Sequence, residues 1–175
     1  MAKLQFFGYG AYRSREKVTQ IIGRDPGPGI GAILEGFSLY IQTLKQIPNP
    51  PRDLLREVYG STFQAYTLRN EAGEVQGMLW EIEPEEFNKI KQWEFIGIWR
   101  ELVKVTIKTS DNLTLKVFTE KSPDIHPVAE RADGLNYKEF NLIRIQKAPP
   151  QFKKDYDRYT KIQIEAIKKW LKLQQ

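Results

Sequence analysis

Reactive side chains are few in this sequence. It has no cysteine and a single histidine, His126. Thiolate nucleophiles, disulfides and Cys-based zinc or iron–sulfur sites are therefore excluded, and a lone histidine removes most other metal chemistry. His126 lies in Ser122-Pro-Asp-Ile-His-Pro127, and no Gly-x-Ser-x-Gly elbow accompanies it, so it reads as an ordinary loop histidine rather than a triad member. The Gly23–Gly31 stretch holds four glycines and two prolines. A phosphate-cradling loop would continue with Lys-Ser/Thr into a helix, whereas Ala32-Ile33-Leu34 opens a strand, so this stretch reads as a connector. The chemistry left is that of carboxylates, hydroxyls, lysines and backbone amides arranged as an anion site.

Two segments offer that chemistry. The first is Phe7-Gly8-Tyr9-Gly10-Ala11-Tyr12, and the second is Gly77-Met-Leu-Trp80 followed by Ile90-Lys-Gln-Trp-Glu94. A glycine at a strand end lets successive N–H groups point into one cavity, an anion-binding nest that needs no particular side chain. Glu94 stands between Trp93 and Phe95, and partial desolvation there raises a carboxyl pKa toward neutrality. Taken singly, the first segment reads as a plain strand end and Glu94 as a solvated carboxylate at a helix end.

The elements that must position these residues follow from periodicity and punctuation. Leu4 to Tyr9 reads as a short buried strand turning at Gly10. Ser14 caps a helix over Arg15 to Ile22 that ends at Gly23. A strand runs through Gly36, Phe37, Leu39 and Ile41 and stops by Ile47, and Pro50 and Pro51 start a helix with Leu54, Leu55, Val58 and Tyr59 on its inner face. Phe63 to Leu68 and Val75 to Ile82 are predicted as a hairpin about Asn70–Glu74. Pro84 opens a helix carrying Phe87, Ile90 and Trp93 or Glu94 on one face and ending by Gly97. Trp99 to Lys108 and Leu113 to Phe118 form another hairpin, after which the strands are predicted to cease. Helices are predicted over 137–147 and 152–173, the second with a stripe of Phe152, Tyr156, Tyr159, Gln163, Ala166, Trp170 and Leu173. The expected fold class is α+β, with a mostly antiparallel sheet curled into a small barrel, flanking helices and a long C-terminal helix.

The two segments resemble the gamma-glutamylcyclotransferase-like family over roughly residues 4 to 118. That family opens with a strand ending in a Tyr-Gly-Ser-Asn-Leu loop and later carries a Gly-x-x-Trp/Tyr strand, a short helix and Leu-Asp-x-x-Glu-Gly. Here Tyr9 and Gly10 fall on the loop's pair, Gly36-Phe37 on a family strand, Gly77 and Trp80 on the central strand, and Glu94 on the catalytic glutamate. The resemblance implies that backbone amides of Tyr9, Gly10, Ala11 and Tyr12 hold the oxygens of a small gamma-glutamyl substrate. It implies that Glu94 shuttles a proton while the substrate amine attacks its own side-chain carbonyl, releasing 5-oxoproline and an amine or amino acid without metal or cofactor. The chain departs from the pattern at Ala11-Tyr12, at Lys91 where the family has Asp, at Phe95 where it has Gly, and at Ala148-Pro149-Pro150 in place of a longer segment. These departures leave the leaving amine open and keep a second function in view, a non-catalytic module that retains the pocket to bind a ligand or partner.

Length and composition frame these readings. The 175 residues read as a single domain over 1–175, with 137–175 as a helical C-terminal extension. At 41% hydrophobic and 28% charged, the chain can bury a core throughout. The start, MAKLQFFGYGAYRSREK, lacks a secretory pattern and no run is long enough to span a bilayer, so a cytoplasmic protein without membrane partners is expected. A net charge of +5 arises from 27 basic residues interspersed with 22 acidic ones, which does not point to nucleic acid. Lys153, Lys154, Lys161, Lys168, Lys169 and Lys172 line one face of the last helix. They read as a solvated face, the alternative being contact with nucleic acid or an acidic membrane.

Overall fold

The computed structural model describes residues 2–132 and 156–175. Leu4–Gly8 (β1) has no face to give to water, since Phe6 is buried on one side of it and Phe7 on the other. A strand of this kind requires cover on both faces. The chain supplies it through Arg15–Ile22 (α1), Ile30–Thr43 (β2), Pro51–Tyr59 (α2), Gln64–Ile82 (β3), Pro84–Trp93 (α3), Glu101–Thr109 (β4), Thr114–Lys121 (β5), Glu130–Arg131 (β6) and Tyr156–Leu173 (α4). Strand order is β3-β1-β5-β4-β2-β6 with β3 also paired to β2, which closes five strands into a barrel. Among these strands only β1 and β5 pair in parallel. The expected α+β barrel with a helical C-terminal end is what forms.

Local signals set the helices. Ser14 Oγ accepts the Lys17 N–H at 3.2 Å, and Gly23 ends α1 at φ 81°. Pro51 opens α2, and at α3 Glu86 Oε2 accepts the Glu83 N–H at 2.9 Å as half of a capping box. The barrel interior is filled by Phe7, Leu34, Leu68, Leu79, Ile107 and their neighbours. Outside it, Phe6, Trp80 and Ile82 pack under α1 and α3, while Ile47, Leu55, Phe95, Trp99 and Ile167 join α2 to α4.

The structure differs from the sequence-based expectation in three places. The predicted hairpin over 63–82 is one strand, β3, which runs beside β2 from Gln64↔Thr43 to Leu79↔Ile30. The turn residues Asn70–Glu74 form a bulge, where pairing passes from Phe37↔Asn70 to Glu35↔Glu74 with Gly36 at φ 80°. Both halves fit the long β2, and a bulge keeps both ladders where a reversal would leave part of β2 unpaired. Second, β5 continues past Phe118 to Lys121, and the two-residue β6 adds to β2 at Tyr40 and Ile41. Third, α4 buries Thr160, Gln163 and Ile167, and Leu173 is 76% exposed. Gln163 keeps its predicted inward place, bonded by Tyr59 of α2, while Lys17 of α1 bonds Thr160 and draws the inner face one position away from the rest of the stripe. The helix predicted over 137–147, together with Phe152, Lys153 and Lys154, lies outside the described residues.

Two outcomes follow from this packing. A Cβ at Gly77 would sit 2.5 Å from the Gly8 carbonyl oxygen and 2.5 Å from the Phe7 ring. Gly77→Ala is expected to cost about 1–3 kcal/mol in urea unfolding, whereas Gly31→Ala, whose nearest atom would be 3.9 Å away, serves as a near-neutral control. Lys161 and Lys168 are exposed on α4. Replacing both by Gln should change stability by no more than about 0.5 kcal/mol; a salt-sensitive loss of RNA or anionic-vesicle binding would instead assign them an interaction role.

Candidate active site

Because β1 and β5 are parallel, their carboxyl ends arrive at the same end of the barrel, where the antiparallel β4 begins. Tyr9 after β1, Glu120 next to the last residue of β5 and Arg100 just ahead of β4 are thereby gathered from distant parts of the sequence. Glu94 joins them from the end of α3. Its N–H donates to the Ile90 carbonyl at 3.0 Å, and its backbone at φ −90°, ψ 1° stops the helix. Phe95 follows at φ 52°, a left-handed conformation natural to glycine and costly for a bulky residue. Its buried ring, packed against Trp99 and Trp170, offsets that strain.

Arg100 is the hub. Its Nη1 pairs with the Glu120 carboxylate and donates to the Tyr9 hydroxyl at 3.3 Å, its Nη2 donates to the Tyr66 carbonyl, and its Nε lies 3.3 Å from Glu94 Oε2. The Trp99 ring covers the guanidinium at 4.3 Å. Tyr9 in turn donates its hydroxyl to the Glu120 backbone carbonyl at 2.8 Å. Relative exposures of 8% for Glu94, 4% for Arg100 and 2% for Glu120 show two carboxylates sharing one cation away from bulk water. Such a set carries one uncompensated negative charge unless it keeps a proton. Burial, then the charge of Glu120, push the Glu94 carboxyl up to about 8, against the pull of Arg100 and of the Tyr12 hydroxyl. Burial and the two carboxylates also raise Tyr9 and Tyr12, so both phenols stay neutral. Burial works against the Arg100 charge, but Glu120, Glu94 and Tyr9 more than reverse this, and it remains cationic.

The loop after β1 is a 3-10 turn over Gly10–Arg13 with Gly10 at φ 61°. Ala11 is exposed, and Tyr12 is buried against Phe6 with its phenol toward Glu94. The Tyr12 N–H donates to the Tyr9 carbonyl at 3.2 Å, so it closes the turn instead of pointing into an open nest, as the sequence had suggested. The structure also explains why the two segments occur together. Gly77 leaves room for the Gly8 carbonyl, and the Trp80 indole N–H donates to the Tyr12 carbonyl at 2.6 Å, fixing the turn from beneath.

Glu94 and Tyr12 are thus brought together, Tyr9 faces Arg100 and Glu120, and Gly10 and Ala11 form the corner. Arg100 and Glu120 escaped the sequence reading. Their only signal was a charge at each end of otherwise apolar strand runs, Trp99-Arg100 and Phe118-Thr-Glu120. A polar groove of about 360 Å³ lies by Lys3, Lys104 and Lys116, and no member of the cluster borders it. Among the described residues no group of three or more His, Asp or Glu could hold a metal, and no helix is long and apolar enough to cross a membrane.

No family model and no curated protein matches the sequence. Solved structures match the fold. One described as a gamma-glutamyl cyclotransferase superposes with a TM-score of 0.57 at 14% identity, over 87% of this chain and 85% of that one. A protein of Arabidopsis thaliana solved in solution gives 0.56 at 18% identity, over 90% and 86% of the two chains. An uncharacterized protein from Homo sapiens gives 0.54 at 17% identity, over 92% and 88%. At such identities the likeness speaks to architecture, and the architecture of this chain is the gamma-glutamyl cyclotransferase-like fold.

Proposed function

We propose that this protein is a gamma-glutamyl cyclotransferase-type enzyme in which Glu94 moves the proton and the turn over Tyr9 to Tyr12 receives the substrate. The observation that carries this reading is the place of Glu94, a buried carboxyl beside that turn, facing Tyr12 and poised near neutrality by burial. The substrate would be a gamma-glutamyl amine or amino acid. Its α-nitrogen attacks the side-chain carbonyl, the new C–N bond closes a five-membered ring, and the bond to the leaving nitrogen breaks. Ionised Glu94 takes a proton from the attacking nitrogen and returns it to the departing one, so the same carboxyl acts as base and then as acid. By the resemblance, backbone amides of the turn after β1 would donate to the oxygen that becomes negative in between. Left-handed φ at Phe95 adds support, because it is a backbone shape that glycine, the residue of the resembled motif at this position, adopts without cost.

A second reading has its own observation. Tyr12 fills the space against Phe6 and Glu94, and its amide is used within the turn, which suits a module that keeps the fold for binding. Release of 5-oxoproline from a panel of gamma-glutamyl amino acids and amines separates the two. Turnover that falls by at least about 10² in kcat in Glu94→Gln is expected; a variant within about tenfold of the parent would show the wrong residue to have been chosen.

Protonation of Glu94 also links to stability. Its carboxyl is raised in the fold from 4.5 to about 8, so between these values the native state holds a proton that the unfolded chain has lost. The contribution is fully present below about pH 4.5, declines as pH rises, and is gone above about 8. Thermal melts from pH 5 to 9 should therefore show a downward slope that Glu94→Gln flattens, and an equal slope in both proteins would contradict the burial of this group.

A further inference from the structure

The three nitrogens of the Arg100 guanidinium are not equivalent. Nη1 is held by Glu120 and the Tyr9 hydroxyl and Nη2 by the Tyr66 carbonyl, which together set the plane of the group. Nε lies 3.3 Å from Glu94 Oε2 but makes no hydrogen bond, although it is buried. A buried guanidinium N–H without an acceptor is a costly state, and Glu94, 3.3 Å away, meets the cation through charge alone and not through a hydrogen bond. Glu120, by contrast, is bonded directly to Nη1. When the excess negative charge is relieved by a proton, the carboxylate without the direct bond is the one to take it, since protonating the other would break the stronger, charge-assisted contact.

We propose that Arg100, anchored by Glu120, Tyr9 and the Tyr66 carbonyl, is a positioning residue that holds the Glu94 carboxyl beside the Tyr9–Tyr12 turn and makes Glu94, not Glu120, the proton-exchanging member of the pair. The catalytic meaning of this inference rests on the reading of Glu94 as acid and base, while the charge arrangement itself does not. The titratable groups that act on Glu94 come from three elements: Tyr12 from the turn after β1, Arg100 ahead of β4 and Glu120 from β5, with Tyr9 coupled to Glu94 in turn. Glu120 fixes the cation and at the same time opposes a second negative charge. It therefore acts on the reaction only through Arg100 and Glu94.

The test is a pH titration of glutamate side-chain carboxyl ¹³C resonances in the full chain, with Glu94 assigned by its loss in Glu94→Gln. In Glu120→Gln, Arg100 is left with one carboxylate, and the Glu94 midpoint is expected to fall by about one unit or more. In Arg100→Lys the charge remains but the fork is lost, so the Glu94 midpoint should move and the acid limb of kcat/KM should move with it. A Glu94 midpoint that stays within about 0.3 unit in Glu120→Gln, or Glu120 itself titrating in the alkaline range, overturns the proposal. Potentiometric titration of the parent covers the case in which these variants do not fold. Glu94→Gln should remove one proton released per chain between about pH 6 and pH 10, and its persistence overturns the assignment. If the midpoint moves while no gamma-glutamyl compound is turned over, the arrangement stands and the cyclotransferase reading falls. If turnover depends on Glu94 while the midpoint ignores Glu120, the reverse holds.

Discussion

The structure depends on burying β1 on both faces. Phe6 and Phe7 cannot both be covered by a two-layer sheet with one wet side, so β1 must lie inside the wall of a barrel whose outer surface is itself roofed by helices. That demand sets the neighbours of β1. Antiparallel β3 supplies Gly77 at the point of closest approach, and parallel β5 completes the wall. From the parallel pairing follows the location of the site, because two parallel strands deliver their carboxyl ends, and hence Tyr9 and Glu120, to one rim.

At that rim the protein spends stability on charge. Two carboxylates, one guanidinium and two phenols are removed from bulk water, and every arrangement of full charges leaves an excess negative charge. A proton resolves it. The group that carries the proton is the one at the end of α3, where the helix has already stopped and the carboxyl meets the turn after β1. A purely structural ion pair would be better served by one carboxylate per arginine, so the second carboxylate is the feature that structure alone does not require.

The departures from the family pattern take a physical form here. Phe95 stands where a glycine would be unstrained, and its ring compensates by joining Trp99 and Trp170 in the contact with α4. Tyr12 stands where the resembled pattern has Asn and turns inward against Phe6, adding a phenol to the carboxylate cluster.

Much of this was legible in the chain by itself. The helix caps at Ser14 and Gly23, the proline starts of α2 and α3 and the turn at Ser110–Asn112 rest on local rules, in which neighbours in sequence are neighbours in space, and the α+β class follows from the elements so marked. The bulge at Asn70–Glu74 was not legible, because the same residues serve a turn or a bulge and only the length of the partner β2 decides between them. Nor was the two-residue β6, whose pairing comes from β2 and not from its own propensity. Arg100 and Glu120 were invisible for the deepest reason. A charge at a strand end is ordinarily solvated, and what buries these two is the closure of the barrel, which brings residues far apart in sequence to within a hydrogen bond. The sequence determined which groups could do chemistry, and the tertiary structure alone decided which carboxylate would keep the proton, because that choice is made by distances to a shared guanidinium that no local pattern encodes.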